Sequence, residues 1–137
     1  MIELKDNDRC FVCGKKNPLG LAVDFEIDAR ERSIRARFTP LPDHQGFENI
    51  VHGGILSALL DEAMAKLAFS LGLQIVTAEM TVKFKTPAKP GEELFISGRL
   101  LDESKRLISA EAKIEKGAST IAEATGKLLR IAESRRP

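Results

Sequence analysis

The chain has 137 residues, of which 43% are apolar and 30% charged, with a formal net charge of +1. That length suits one domain with its own core, expected over residues 1–137. The balanced charge excludes a general nucleic-acid binder, which needs a basic excess, and the terminal Arg135-Arg136 is too short to alter this. No apolar run approaches the roughly 20 residues of a membrane span, and residues 1–9 lack the apolar centre of a signal peptide. The expectation is therefore a cytoplasmic protein with neither nucleic acid nor membrane as partner. Trp and Tyr are absent, so the seven Phe are read as core rather than as stacking platforms.

Residues 1–18 are polar and rich in turn formers, and are expected to be irregular. Leu21, Val23, Phe25 and Ile27 then alternate with polar partners at a period of two, the signature of a strand. Residues 28–32 are a charged turn. Ile34, Ala36 and Phe38 alternate with Arg35 and Arg37 in a second strand, which Pro40 and Pro42 end. Residues 40–49 form a loop. A strongly apolar helix is predicted from about Gly53 to Leu71, stopped by Gly72. It is apolar nearly all round, which marks a buried helix.

Four more strands follow. Ala78, Met80, Val82 and Phe84 alternate with Glu79, Thr81, Lys83 and Lys85, and residues 87–91 make a Pro/Gly bend. Residues 94–101 form the next strand and 102–105 a turn. Ile108, Ala110, Ala112 and Ile114 alternate in the following strand, Lys116-Gly117 turns the chain, and 121–131 is the last strand. Short connections favour antiparallel pairing. Alternation gives the sheet one apolar face, and the single long helix is the element available to cover it. The predicted class is α+β, an antiparallel sheet wrapped around one central helix.

The chemistry-bearing stretch is His52-Gly53-Gly54, with Asp61 nine positions after the histidine. A helix N-terminus presents unpaired N–H groups and partial positive charge, and glycine lets a ligand approach that backbone. An oxyanion site near a carboxylate is what acyl transfer requires. On a helical wheel Ser57, Ala58, Ala65 and Ala68 lie within about 60° of Asp61, so the carboxylate shares a face with small residues, where a substrate has room. The competing reading is a solvated or salt-bridged Asp. Gly53 and Gly54 serve either an oxyanion or simply a crowded helix start. His52 is read as an orienting group rather than a proton carrier. Gln45 and Asn49 either reach a substrate carbonyl or brace their loop. Glu62 points about 100° away from Asp61 and is expected to join an ion pair.

With these residues the chain resembles the hotdog-fold acyl-CoA thioesterases, in particular their phenylacetate-pathway-like branch. That branch carries His-Gly-Gly, six residues and then Asp, as His52 to Asp61 does. Residues 77–84, leading into Pro87 and Pro90-Gly91-Glu92, are similar to its strand after the helix and the bend that follows. Cys10-Phe11-Val12-Cys13-Gly14 with Asn17-Pro18-Leu19-Gly20-Leu21 is similar to the N-terminal segment of one subgroup. The resemblance implies a hotdog fold and a homodimer, in many relatives a tetramer, with sheets joined edge to edge and active sites shared between chains.

It further implies that the Gly53 N–H polarises a thioester carbonyl while Asp61 activates water or attacks the carbon itself. No metal or redox cofactor is required, since CoA is part of the substrate. Relatives often place Asn or Gln six positions before the His; here Gly46 stands there, with Gln45 beside it. Thr77 matches a Ser or Thr that in some relatives positions water, yet strict alternation turns it away from the helix unless a dimer edge or a bulge intervenes. Gly54, Asn49, Ser57, Lys85 and Lys89 are the expected substrate contacts, with Lys83, Lys85, Lys89 and Arg99 read either as solvated charge or as a CoA phosphate site. Cys10 and Cys13 cannot alone complete a four-ligand zinc site; even with His44 as a conceivable addition, the expectation is an ordinary turn with buried thiols and no metal. The rival functions are a non-catalytic acyl-CoA-binding module and a hydratase or dehydratase on the same fold.

Overall fold

The computed structural model describes residues 3–131. Strands β1 (Phe25–Asp28) and β2 (Ser33–Phe38) precede a short 3-10 turn (Pro42–His44) and the helix α1 (Gly53–Ser70). Strands β3 (Ile75–Phe84), β4 (Leu94–Glu103), β5 (Leu107–Lys116) and β6 (Ser119–Arg130) follow. All pairings are antiparallel, in the order β1-β2-β4-β5-β6-β3. This is the predicted sheet around one helix, with β1 and β3 as its two edges.

The period-two patterns become the inner face of the sheet. Ile34, Ala36, Leu94, Ile96, Ile108, Ala110, Ala112, Ile114, Ala122, Ala124 and Leu128 are all buried. They receive Leu56, Leu59, Leu60, Ala63, Met64, Leu67 and Ala68 from α1. The helix ends as its glycine predicts. Gly72 has φ 87°; its N–H donates to the Phe69 carbonyl at 3.0 Å and that of Leu73 to Ala68 at 3.0 Å. These two bonds are the Schellman arrangement, which satisfies carbonyls the helix leaves unpaired.

Three expectations change. The first strand starts at Phe25 rather than Leu21, because the backbone before it pairs elsewhere. The Leu21 N–H donates to Phe11 and that of Val23 to Val12, both at 2.8 Å, with Ala22 at φ 52° between them. The N-terminal segment is thus irregular, as predicted, but fastened. In β3 the alternation breaks: Thr77 pairs with Leu128 and Glu79 with Lys127, so Ala78 is an extra, bulged residue. A bulge shifts the facing of the residues on one side of it. Ala78 is therefore exposed, and Thr77 is half-buried toward the helix. Finally, the Phe residues are not all core. Phe38 is buried, but Phe47 and Phe84 are 82% and 56% exposed; the first sits on a loop tip and the second at the end of an edge strand.

α1 is also less completely enclosed than its composition predicts. One side is buried in the sheet. Glu62 and Lys66 meet the N-terminal segment. Ser57, Ala58, Asp61 and Ala65 form a half-buried strip that neither layer covers fully.

Leu60 is wholly buried on the sheet side. Leu60→Ala should lower unfolding stability by about 2–5 kcal/mol through lost transfer energy and the cavity left behind. Urea denaturation measures this; a loss well under about 1 kcal/mol would contradict the packing described.

Candidate active site

The helix start is built by the loop before it. The Val51 N–H donates to Ala88 and that of His52 to His44, each at 2.8 Å, and Gln45 bridges Val51. Between them residues 47–50 turn through Asn49 at φ 61°. Gln45 braces that turn. Its Nε2 donates to the Pro42 carbonyl at 2.7 Å, and its Oε1 accepts from the Asn49 N–H. Both ends of the amide thus make a hydrogen bond within the loop.

His52 is the N-cap of α1. Its carbonyl accepts from the N–H groups of Ile55 and Leu56 at 2.9 and 3.2 Å. Its Nδ1 accepts from the Gly54 N–H at 2.8 Å. A Cβ on Gly54 would lie 2.9 Å from that nitrogen, so glycine is what lets the ring fold back over the helix. The cap fixes which donor remains. The Gly54 N–H is thus engaged within the chain. Among the described residues nothing accepts from the Gly53 N–H. That donor sits at the positive end of an 18-residue helix. The Phe84 ring lies beside it, 3.5 Å from where a Gly53 Cβ would be.

Two turns further along, Asp61 is half-buried. The Thr77 Oγ1 donates to its Oδ1 at 2.7 Å. The Ala78 bulge makes this possible, since without it Thr77 would point to the outer face. A hydroxyl donor holds the carboxylate in one rotamer. The other oxygen, Oδ2, has no protein donor among the described residues. Gly53 and Asp61 are eight positions apart on one helix, a rise of roughly 12 Å. One chain therefore cannot bring both directly to a single carbonyl group.

The lysines do not gather at this site. Lys85 is ion-paired with Glu123 at 3.5 Å. Lys83 and Arg99 line a groove of about 870 Å³ on the face of the sheet away from the helix, beside Arg35, Glu111 and Thr125. Lys89 is exposed in the bend that follows β3. Ser57 and Asn49 stay on the open side of the helix start, half-buried and exposed respectively.

A second cluster escaped the sequence reading. Among the described residues Glu62 forms no ion pair; its Oε2 accepts from the Cys10 Sγ at 3.2 Å and the Cys13 Sγ at 2.7 Å. Burial first, and then the Glu62 carboxylate, push the Cys13 thiol from 9.0 up to about 12. His44 takes no part, its Nδ1 instead accepting from the Leu41 N–H at 2.9 Å. The roughly 100° between Asp61 and Glu62 sends adjacent carboxylates to different neighbourhoods.

Comparison with known proteins agrees with this fold. The thioesterase superfamily matches residues 48–122, which run from the end of the loop through α1, β3, the bend, β4 and β5 to the start of β6. The chain is similar to acyl-coenzyme A thioesterase THEM5 of Mus musculus, 29% identical over 111 residues, covering 80% of this chain and 44% of that protein. The chain thus spans under half the length of that curated relative. It is similar to the PaaI protein of the E. coli phenylacetic acid degradation operon, with a TM-score of 0.76 and 26% identity, covering 83% of each chain. The smu.793 protein of Streptococcus mutans, whose structure has acetyl CoA bound, shares the fold at a TM-score of 0.75 and 17% identity, covering 84% of this chain and 91% of that one. No helix among the described residues is long and apolar enough to cross a membrane. By its matched sequence and its hotdog fold, the chain belongs to the thioesterase superfamily, alongside the phenylacetic acid degradation thioesterases.

Proposed function

We propose that this chain hydrolyses acyl-CoA thioesters at a site assembled by two copies of itself. The observation that carries the reading is the pairing of two prepared groups that one chain holds too far apart. These are the unpaired Gly53 N–H and the Thr77-oriented Asp61, roughly 12 Å apart along α1. A second copy resolves the distance by offering its own helix start to the first copy's carboxylate. The edge strand β3 supports this arrangement. It is ten residues long, ends the sheet, and exposes Val76 and Phe84. An unpaired edge with apolar side chains is a template for strand addition, and the half-buried strip of Ser57, Ala58, Asp61 and Ala65 is what a partner would cover.

In this site the thioester oxygen receives the Gly53 N–H of one copy, with the helix dipole behind it. Asp61 of the other copy takes a proton from water through Oδ2, while Thr77 holds Oδ1. The water oxygen adds to the carbonyl carbon and the C=O electrons move to oxygen. Collapse of that oxyanion breaks the C–S bond, giving the carboxylic acid and CoA thiolate, which takes up the proton. His52 and Gln45 act as positioning residues, the first by fixing which helix N–H stays free and the second by bracing the loop. Asn49 and Ser57 flank the acyl path. Lys89, exposed in the bend, and Lys85 beside it offer cationic contacts to the CoA phosphates. No metal or redox cofactor enters these steps.

Thiol release from short, medium, branched and aryl acyl-CoA thioesters tests the activity and sorts the acyl group. Asp61→Asn should lower the rate by roughly 10²–10⁴-fold, the usual worth of a general base. Substrate that binds without any release of CoA from the parent chain would identify a binding module instead. Thr77→Ala should cost about 10- to 100-fold, the worth of one hydrogen bond to a charged group. Gly53→Pro is the sharper probe. Proline suits the first helical position and lacks only the N–H, and His52 at φ −58° and ψ 130° already has the backbone that proline demands of its predecessor. Circular dichroism should show the helix intact while the turnover rate falls roughly 10²–10³-fold. Parent-like turnover in Gly53→Pro would remove the helix start from the mechanism.

A further inference from the structure

We infer that Cys10, Cys13 and Glu62 form a binding site for one divalent transition-metal ion of the zinc class, which clips the N-terminal segment to the central helix. The cluster is separate from the site just described, and its two cysteines precede the residues 48–122 matched by the superfamily, while Glu62 lies within them. The two Sγ atoms and a Glu62 carboxylate oxygen all lie within 4.8 Å of one another. Zinc bound to sulfur at about 2.3 Å and to oxygen at about 2.1 Å in a tetrahedron sets its ligands about 3.5 Å apart. Here Glu62 Oε2 is 3.2 Å from Cys10 and 2.7 Å from Cys13. The protonated cluster is a slightly contracted version of a metal site, and shifts of under about 1 Å open it to the bound spacing.

The local backbone is shaped around sulfur. The N–H groups of Val12 and Cys13 both donate to the Cys10 Sγ, at 3.4 and 3.5 Å. The Gly14 N–H closes the turn onto the Cys10 carbonyl at 2.9 Å. A Cβ on Gly14 would come within 2.3 Å of the Cys10 nitrogen, so glycine is required for this closure. From the helix, Lys66 Nζ donates to the Cys13 Sγ at 3.5 Å. Charge also balances. Binding replaces the two thiol protons with one divalent ion, leaving two thiolates, one carboxylate and the Lys66 ammonium around it, with no change in net charge. Two soft sulfurs with one carboxylate select zinc-class metals over calcium or magnesium. Among the described residues no fourth donor joins the group, so solvent completes the tetrahedron. All three ligand residues are only partly buried, which leaves the ion a path of entry. Because Cys10 and Cys13 are about fifty positions from Glu62 in the chain, the ion would close a long loop and stabilise the fold accordingly.

The test is metal titration of the full chain, prepared reduced and stripped with a chelator. Co²⁺ should bind at one equivalent per chain and give the near-ultraviolet charge-transfer absorption of cobalt–thiolate bonds. Zn²⁺ should displace it, shield both thiols from alkylation and raise the thermal unfolding midpoint. Cys13→Ser should lose the zinc effect on the midpoint and most of the absorption. Glu62→Gln keeps an acceptor for both thiol protons, so the metal-free fold should stand while metal binding is lost. Asp61→Asn should bind metal like the parent, which separates this site from the active site. The readouts do not depend on turnover, so the proposal stands or falls apart from the thioesterase reading. Absence of cobalt–thiolate absorption would overturn it. So would equal metal binding by the parent and Glu62→Gln, or thiols that alkylate equally fast with and without Zn²⁺.

Discussion

Burial of α1 is the constraint from which the rest of the structure follows. A helix carrying Leu56, Leu59, Leu60, Met64 and Leu67 cannot stand in water, and one curved sheet gives it a single apolar wall. The alternating strands supply that wall, and their short turns make it antiparallel. The N-terminal segment covers a second side, where Glu62 and Lys66 meet Cys13. What remains is the strip of Ser57, Ala58, Asp61 and Ala65, half-buried and bordered by small side chains. The polar chemistry of the helix is thus confined to the two sides the sheet leaves free.

The same helix sets the geometry of the site. Its first free N–H and its carboxylate are both prepared, one by the His52 cap and the other by Thr77. The rise per residue then keeps them about 12 Å apart. A rigid helix cannot bend to bring its own two groups together, so the proposed sharing of the site by two copies rests on helix geometry rather than on a detail of side chains. The exposed apolar residues on and around β3, which are awkward in an isolated chain, would be covered in the proposed arrangement.

Much of this was legible in the sequence because it rests on periodicity and on backbone chemistry. The strands followed from alternation, the helix stop from Gly72, and the helix start from Gly53 and Gly54. Features that depend on one residue breaking a pattern were not legible. Ala78 is an extra residue in β3, and only the pairing of Thr77 with Leu128 and Glu79 with Lys127 reveals it. Alternation alone turned Thr77 the wrong way. Leu21 and Val23 read as strand, yet their N–H groups go to Phe11 and Val12. Glu62 read as an ion-pair partner because the wheel gives a direction but not what waits there. A two-cysteine turn 49 to 52 positions away in the chain fills that place.

The central claim, that Gly53 and Asp61 act from different chains on one thioester, is tested most directly by mixing two inactive variants. Asp61→Asn and Gly53→Pro are each prepared alone, then unfolded and refolded together to exchange subunits. In a mixed dimer one site combines the intact Gly53 of the first variant with the intact Asp61 of the second, while the other site carries both substitutions. Random pairing makes half the dimers mixed, so thiol release should recover to about a quarter of the parent rate. Mixtures no more active than the separate variants, with subunit exchange verified by mass, would contradict a site shared between two chains.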